Sequence, residues 1–263
     1  MALLRIEKTG AVAHITMTAP ERLNALSDEM IATLHSTFDD IAGDRAVKAV
    51  IVSGEGKAFC AGHNLKEMQA KREAEDGGAA ALKDLFDRCA ALMARIQSLP
   101  QPVIAQVHGI ATAAGCQLVA TCDLAVAADT TKFGVNGVNI GLFCSTPMVA
   151  LTRNIGRKAA FEMLTTGRFV PAAEAQTLGL INRTVPLDDL PASTMDLAQT
   201  IANKLGSAVR TGKSAFYAQA QMTTADAYAF TGDVMVENMA NPDTDEGINA
   251  FLEKRDPNWD PQS

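Results

Sequence analysis

Aromatic side chains are scarce in this chain, 5% of its 263 residues, with one Trp and two Tyr. A core built without large rings must be aliphatic, and a hydrophobic content of 48% supplies one. That balance suits alternating strands and helices and argues against a small β-sandwich. Positive charge is also in deficit, with 23 Lys and Arg against 30 Asp and Glu, a net charge of −7. A surface of that sign repels a phosphate backbone, so nucleic acid is not an expected partner. A small polyanion needs only a local cluster of cations and N–H groups, and stays admissible. The 5 cysteines, Cys60, Cys89, Cys116, Cys122 and Cys144, are odd in number and lack CxxC spacing. Neither a disulfide framework nor a metal site is indicated. The start, Met-Ala-Leu-Leu-Arg, has no basic region leading into an apolar stretch. No secretory signal is read there, and a cytoplasmic location is expected. The longest apolar run, 103–128, is interrupted by Gln106, His108, Gln117 and Asp123 and broken by Gly109 and Gly115. It reads as strand, turn, helix and strand, so no membrane span is expected.

What is present reads as one α/β body with a terminal appendage, free of internal repeats. Leu4–Thr18 alternates and turns at Thr9-Gly10, predicting a β-hairpin. Pro20–Ala25 is a connector. Ser27 can cap a helix with Asp28 and Glu29 in its first turn and Met30, Ile31, Leu34, Phe38 and Ile41 along one face. Val47–Val52 predicts a buried strand. Lys71–Gly78, charged and glycine-containing, predicts a mobile loop. A long helix follows, with Leu82, Leu85, Phe86, Cys89, Leu92, Met93 and Ile96 on one side. Then come a strand at 103–107, a short helix near 113–120 and a strand at 124–127. Helices at 158–164 and 172–178, the second opened by Pro171 and closed by Gly179, precede a short strand at 180–185. From Asp189 onward the pattern is helical. Repeated β–β–α units over 1–188 and a helical region over 189–263 are the expected organisation.

Two segments share one design, a strand followed by small residues and a helix start: Lys57 to Met68, and His108 to Leu118. Small residues admit a second backbone or a ligand, and a helix start leaves N–H groups free. Two such groups converging on one oxygen would form an oxyanion hole. Spacing alone leaves this open against simple tight packing.

The same stretches resemble a known family. Phe59-Cys60-Ala61-Gly62-His63-Asn64-Leu65-Lys66-Glu67-Met68 is similar to the F-x-A-G-x-D-[IL]-K-E-M stretch of the crotonase, or enoyl-CoA hydratase/isomerase, superfamily. Gly109 to Gln117 resembles its G-x-A-x-G-G-G-x-E, and Cys122-Asp123-Leu124 its C-D-[IL]. Phe133 to Gly141 resembles F-G-x-P-E-x-x-x-G, Pro20 to Leu26 resembles P-x-x-x-N-A-L, and Phe251 to Arg255 resembles F-x-E-K-R. These anchors run in order through nearly the whole chain. Segments 111–117 and 137–147 resemble one branch above others, the group called enoyl-CoA hydratase domain-containing protein 3. The likeness implies an α/β fold, a crotonase-like spiral of β–β–α units with a helical C-terminal trimerisation region, assembled as a trimer or a dimer of trimers. It implies an acyl-CoA ligand with no cofactor beyond the coenzyme A of the substrate. It puts the backbone N–H groups of His63 and Ala114 on the thioester carbonyl. It places Arg22 and Leu23 by the CoA phosphates and Ala61, His63, Asn64, Leu65 and Lys66 around the adenine. Phe251 and Lys254 would serve a neighbouring subunit's nucleotide.

The departures bear on activity. The hydratases use two glutamates, and these positions here hold Gln117 and Gly137. An amide can orient water but does not exchange its proton at neutral pH, so enoyl-CoA hydration is expected to be slow. A binder without chemistry, or an isomerase using another base, are the alternatives. Restoring both glutamates is expected to raise hydration. Substitute groups for the missing acids are the His63 imidazole, the Cys144 thiol, Asp123, and an anion held beside Gly137 as in relatives that make naphthoyl-CoA thioesters. Each competes with an inert reading: packing for His63, a buried thiol for Cys144, a strand-start role for Asp123. Glu67 and Glu162 read as solvated helix charges.

Overall fold

The computed structural model describes residues 2–259; Met1 and positions 260–263 of the expected helical tail lie outside them. The hairpin forms as its alternation requires, β1 (Leu4–Thr9) antiparallel to β2 (Val12–Met17). Helix α1 (Asp28–Ala42) begins where the Met30 N–H donates to the Ser27 hydroxyl, and it buries the whole expected stripe. The chain continues through β3 (Ala49–Gly54), α2 (Leu65–Lys71) and α3 (Ala79–Ser98). It then runs β4 (Val103–Val107), β5 (Ile110–Thr112), α4 (Ala114–Thr121), β6 (Leu124–Ala128) and β7 (Lys132–Gly134). Next are α5 (Pro147–Asn154), α6 (Arg157–Thr166), β8 (Phe169–Pro171), α7 (Ala172–Leu178) and β9 (Arg183–Val185). Helices α8 (Leu190–Ala202), α9 (Gly206–Gln219), α10 (Thr224–Met239) and α11 (Pro242–Glu253) complete it.

Strands order as β1-β2-β3-β4-β6-β9 in the larger sheet and β5-β7-β8 in the smaller one. From β2 onward the larger sheet is parallel. Each turn of the spiral therefore leaves one strand in the large sheet and, from β5 on, one in the small sheet. The period of two along the strands separates two cores. Val50, Val52, Val103, Ala105, Ala125 and Ala127 face the main core with α1, α3 and α4. Ala49, Ile51, Ile104, Val126 and Ala128 face α8 on the other side. Both faces of a parallel sheet are covered in this way, which is why its strands read as continuous apolar runs.

The small sheet is where the sequence-based expectation falls short. Strands of three residues carry too little alternation to be seen, and only their pairing with β7 defines β5 and β8. Within 71–78, both Asp76 carboxylate oxygens accept backbone N–H groups, of Gly78 and of Ala80.

Asp123 sits where its expected structural role puts it, accepting the Val103 N–H at 2.6 Å. It also receives Lys213 Nζ at 2.6 Å and the Tyr217 hydroxyl at 2.7 Å, pinning α9 to the sheet. Beyond α9 the tail is lightly buried: α10 contributes no buried residue and α11 only Ala250. Tyr228, Met235, Val236, Phe251 and Leu252 are all well exposed.

Candidate functional site

Segments 59–63 and 108–115 are drawn side by side by backbone hydrogen bonds. The Phe59 N–H donates to His108 O at 3.2 Å, Cys60 N–H to Ile110 O at 3.3 Å, and Thr112 N–H to Cys60 O at 3.0 Å. The 20–26 connector closes on them, with Ala61 N–H to Leu23 O at 3.0 Å and Leu26 N–H to Gly62 O at 2.7 Å. Asn24 holds that connector in place from full burial, its amide donating to Glu55 O and Ala58 O. The small residues have a specific use here. Gly62 adopts φ +89, and a Cβ on it would stand 3.2 Å from the Ala114 nitrogen. The corner that presents the next N–H, that of His63, is thus the corner that presents the first N–H of α4. Among the described residues, no protein acceptor takes either N–H.

Both residues line a cavity of about 450 Å³. Its walls are apolar at Leu65, Met68, Phe86, Ile140, Leu142 and Phe143, with Thr112, Asn136, Cys144, Ser145 and Thr146 as polar points. The Thr112 hydroxyl donates to Asn136 Oδ1, fixing that amide beside the α4 N-terminus. Helix periodicity marks Phe86 and Met68 as apolar, but not that they face a cavity instead of the core. The sequence holds no comparable signal for Asn136.

Ala113 adopts φ 50 and ψ −120 while donating to Gly134 O. A methyl-bearing residue is strained there. We expect Ala113→Gly to stabilise the fold by about 1 kcal/mol, strain relief outweighing the added freedom of the unfolded chain. A melting-point rise of about 2–4 °C in calorimetry is the check.

Gln117 and Gly137, which the resemblance sets against the hydratase glutamates, are not equivalent. Gln117 is buried on α4 at 5% exposure, its Oε1 has no partner, and it is not among the cavity-lining residues. Gly137 does line the cavity, but a Cβ there would meet Leu142 O at 2.5 Å and Cys144 Sγ at 2.9 Å. The direction a side chain would take from Gly137 is thus filled by a carbonyl oxygen and a thiol. We therefore expect Gln117→Glu with Gly137→Glu to give no gain in hydration, the reverse of what the sequence alone suggests. A crotonyl-CoA absorbance assay on the folded double variant decides it.

The substitute groups also sort themselves. Cys144 accepts the Gly137 N–H at 3.4 Å, and burial pushes its thiol pKa up, away from nucleophilic thiolate character. Cys60, Cys89 and Cys116 are pushed up to about 12 by burial. The His63 ring packs edge-on against Phe86 at 5.6 Å, with Nδ1 3.3 Å from Leu26 O. A carbonyl only accepts, so the proton sits on Nδ1; burial lowers the pKa, leaving a neutral ring whose Nε2 is buried without a partner. Glu67 is not a solvated charge: it accepts the Asp28 N–H and the Asn64 amide, tying α2 to α1. Glu162 pairs with Arg168 at 3.0 Å.

Of the expected CoA contacts, Ala61, His63, Leu65 and Ala114 line the cavity. Asn64 caps α2, accepting the Lys66 N–H at 3.1 Å. Arg22 is exposed beside Glu21, and Leu23, at φ 52, is exposed as well. Phe251 is 82% exposed on α11, and Lys254 forms its left-handed C-cap; neither lines this cavity. Among the described residues no group of three His, Cys, Asp or Glu side chains could hold a metal. No helix among them is long and apolar enough to cross a membrane.

This fold and these motifs define a class: residues 7–262 match the enoyl-CoA hydratase/isomerase family model, and the chain belongs to that family. A mitochondrial enoyl-CoA hydratase domain-containing protein 3 from Xenopus laevis is 44% identical over 97% of this chain and 85% of its own length. The solved human protein of that name superposes with a TM-score of 0.93 at 42% identity, covering 98% of this chain and 100% of that one. A solved Mycobacterium smegmatis enoyl-CoA hydratase gives 0.95 at 50% identity, over 98% and 99% of the two chains. The resemblance in segments 111–117 and 137–147 thus pointed to the right branch, and the crotonase fold is established. The cytoplasmic expectation does not stand, because the Xenopus, human and mouse relatives are mitochondrial proteins. An apolar signal segment marks secretion alone, whereas mitochondrial transit segments are amphipathic and Arg-rich.

Proposed function

We propose that the chain binds an acyl-CoA thioester with its carbonyl oxygen on the N–H groups of His63 and Ala114. On this reading the pair polarises the carbonyl and stabilises an enolate-like oxyanion, each donor being worth roughly 2.7–4 kcal/mol. The observation that carries it is the meeting of two unpaired N–H groups at one corner of an apolar cavity. Hydration of a 2,3-enoyl-CoA is the nominal family reaction, and without carboxylates at positions 117 and 137 it runs slowly here. General acid–base groups typically contribute about 10²–10⁴-fold each.

Coenzyme A lies over Arg22, Leu23 and residues 61–66 in this reading. The spiral core spans 1–188, and the exposed apolar face of α9–α11 is the surface on which subunits join as a trimer or a dimer of trimers. Phe251 and Lys254 then reach a neighbour's nucleotide. The test is calorimetry with a non-hydrolysable acyl-CoA analogue beside a crotonyl-CoA assay. Binding with little hydration is expected; no binding would end the proposal. A second reading, a protein that holds acyl-CoA without converting it, draws on the same lack of a lining carboxylate. Any product above a no-protein control counts against it.

A further inference from the structure

No Lys, Arg, Asp or Glu stands among the residues that line the cavity. It suits an acyl group without charge, since an ion left unpaired in such a space is costly. Its polar side is more particular. Thr112 ends β5, Asn136 follows β7 by two residues, and the strands pair in parallel with Thr112 opposite Gly134. Asn136 is thereby brought to the turn from which Ala114 starts α4, where the Ala113 N–H donates across to Gly134 O. The Thr112 hydroxyl donates to Asn136 Oδ1 and to no other acceptor among the described residues. An amide oxygen accepts a hydroxyl proton and its nitrogen does not, so this bond decides which end of the amide Thr112 meets. The other end, Nδ2, has no protein acceptor among the described residues, and it is not sealed in as the unpartnered His63 Nε2 and Gln117 Oε1 are. Asn136, the Thr112 that orients it and the Gly137 that follows it all line the cavity, so the open end of the amide faces that space.

We propose that Asn136 determines acyl specificity: its Nδ2 donates to a neutral oxygen, hydroxyl or keto, carried on the acyl chain close to the thioester. This deepens the acyl-CoA reading above and rests on it. That reading puts the thioester oxygen at the start of α4, and Asn136 stands beside the same start. The oxygen it meets therefore belongs to the first carbons of the chain, and 3-hydroxyacyl and 3-oxoacyl thioesters are the class that carries one there. One donor serves both, because hydroxyl and keto oxygens alike present lone pairs. A plain alkyl chain expels water from Nδ2 and offers nothing in return, which costs that ligand affinity. The apolar wall of Leu65, Met68, Phe86 and Leu142 takes the rest of the chain.

The test compares butyryl-CoA, 3-hydroxybutyryl-CoA and 3-oxobutyryl-CoA by calorimetry on the native protein and two variants. The native protein is expected to bind at least one oxygenated thioester about 3- to 10-fold more tightly than butyryl-CoA, the worth of one neutral hydrogen bond. The larger gain of the two names the oxygen the site takes. Asn136→Leu fills a similar volume without a donor, and is expected to erase the preference while butyryl-CoA affinity stays within about 2-fold. Asn136→Asp keeps the oxygen that Thr112 meets and replaces the donor with an acceptor. At about pH 8, above the ordinary carboxyl range, it is expected to bind 3-oxobutyryl-CoA more weakly than butyryl-CoA, a reversal that a packing role would not produce. Equal affinity for the three ligands in the native protein, or a preference that survives in both folded variants, would overturn the role of Asn136 and leave the acyl-CoA site standing. No binding of any of the three to the native protein would remove both.

Discussion

Lys213→Met is expected to lower the unfolding free energy by about 3–5 kcal/mol, the usual cost of removing one partner of a buried ion pair. Lys213 is 7% exposed and its ammonium is fully engaged. It donates to Ile96 O at 2.9 Å, to Gln101 O at 3.0 Å and to Asp123 at 2.6 Å. Burial lowers the Lys213 pKa and the Asp123 carboxylate opposes that shift, which is what holds a charge at such a site. Methionine fills the space but leaves two carbonyls without their donor and the carboxylate without its cation. Tyr217→Phe removes one hydroxyl from the same carboxylate and should cost less, about 1.5–3 kcal/mol. Urea unfolding of the three proteins checks the order. A Lys213→Met protein as stable as the parent would mean that α9 is held by something other than this cluster. Because α9 leads into the exposed α10 and α11, the loss should also show as early proteolysis of the tail.

That cluster marks the limit of what the sequence discloses. Asp123 was legible as a strand-start residue because it stands beside Leu124 in a recognisable motif. Its partner Lys213 is 90 positions away on a helix whose periodicity assigns it no face, so nothing local links them. The larger sheet and its helices were legible for the opposite reason. Their signals are local: a capping Ser27, a stripe from Met30 to Ile41, Pro171 and Gly179 bracketing α7. The two site segments were legible as small-residue turns, and the family resemblance supplied what they are for. Spacing could not show that Phe86 leaves the core to face the cavity, that Asn136 is fixed by Thr112, or that Gly137 is a glycine because Leu142 and Cys144 fill its corner. Each of those depends on side chains brought together from different turns of the spiral.

Gly115→Ala should disturb the site through its backbone. A Cβ at 115 would lie 2.1 Å from Cys60 O and 2.9 Å from Cys60 Cβ, far inside contact distance. The obstacle is backbone, so no rotamer change can relieve it, and the segments around Cys60 and Gly115 must separate. Separation strains the bond from Thr112 N–H to Cys60 O, 3.0 Å long, which holds the pair in register. It also moves the Ala114 N–H away from that of His63, because each follows directly from one of the displaced segments. Overpacking of this kind typically costs about 1–3 kcal/mol of stability. A displacement of about 1 Å at a reacting centre can cost about 100-fold in rate. The expected result is a folded protein with a lowered melting point and acyl-CoA turnover reduced about 100-fold. Gly156→Ala is the control, since a Cβ there meets nothing within 4 Å. Should Gly115→Ala keep native turnover and native affinity for an acyl-CoA, the thioester oxygen cannot rest where these two amides meet. The cavity would then have to serve a ligand held in some other way.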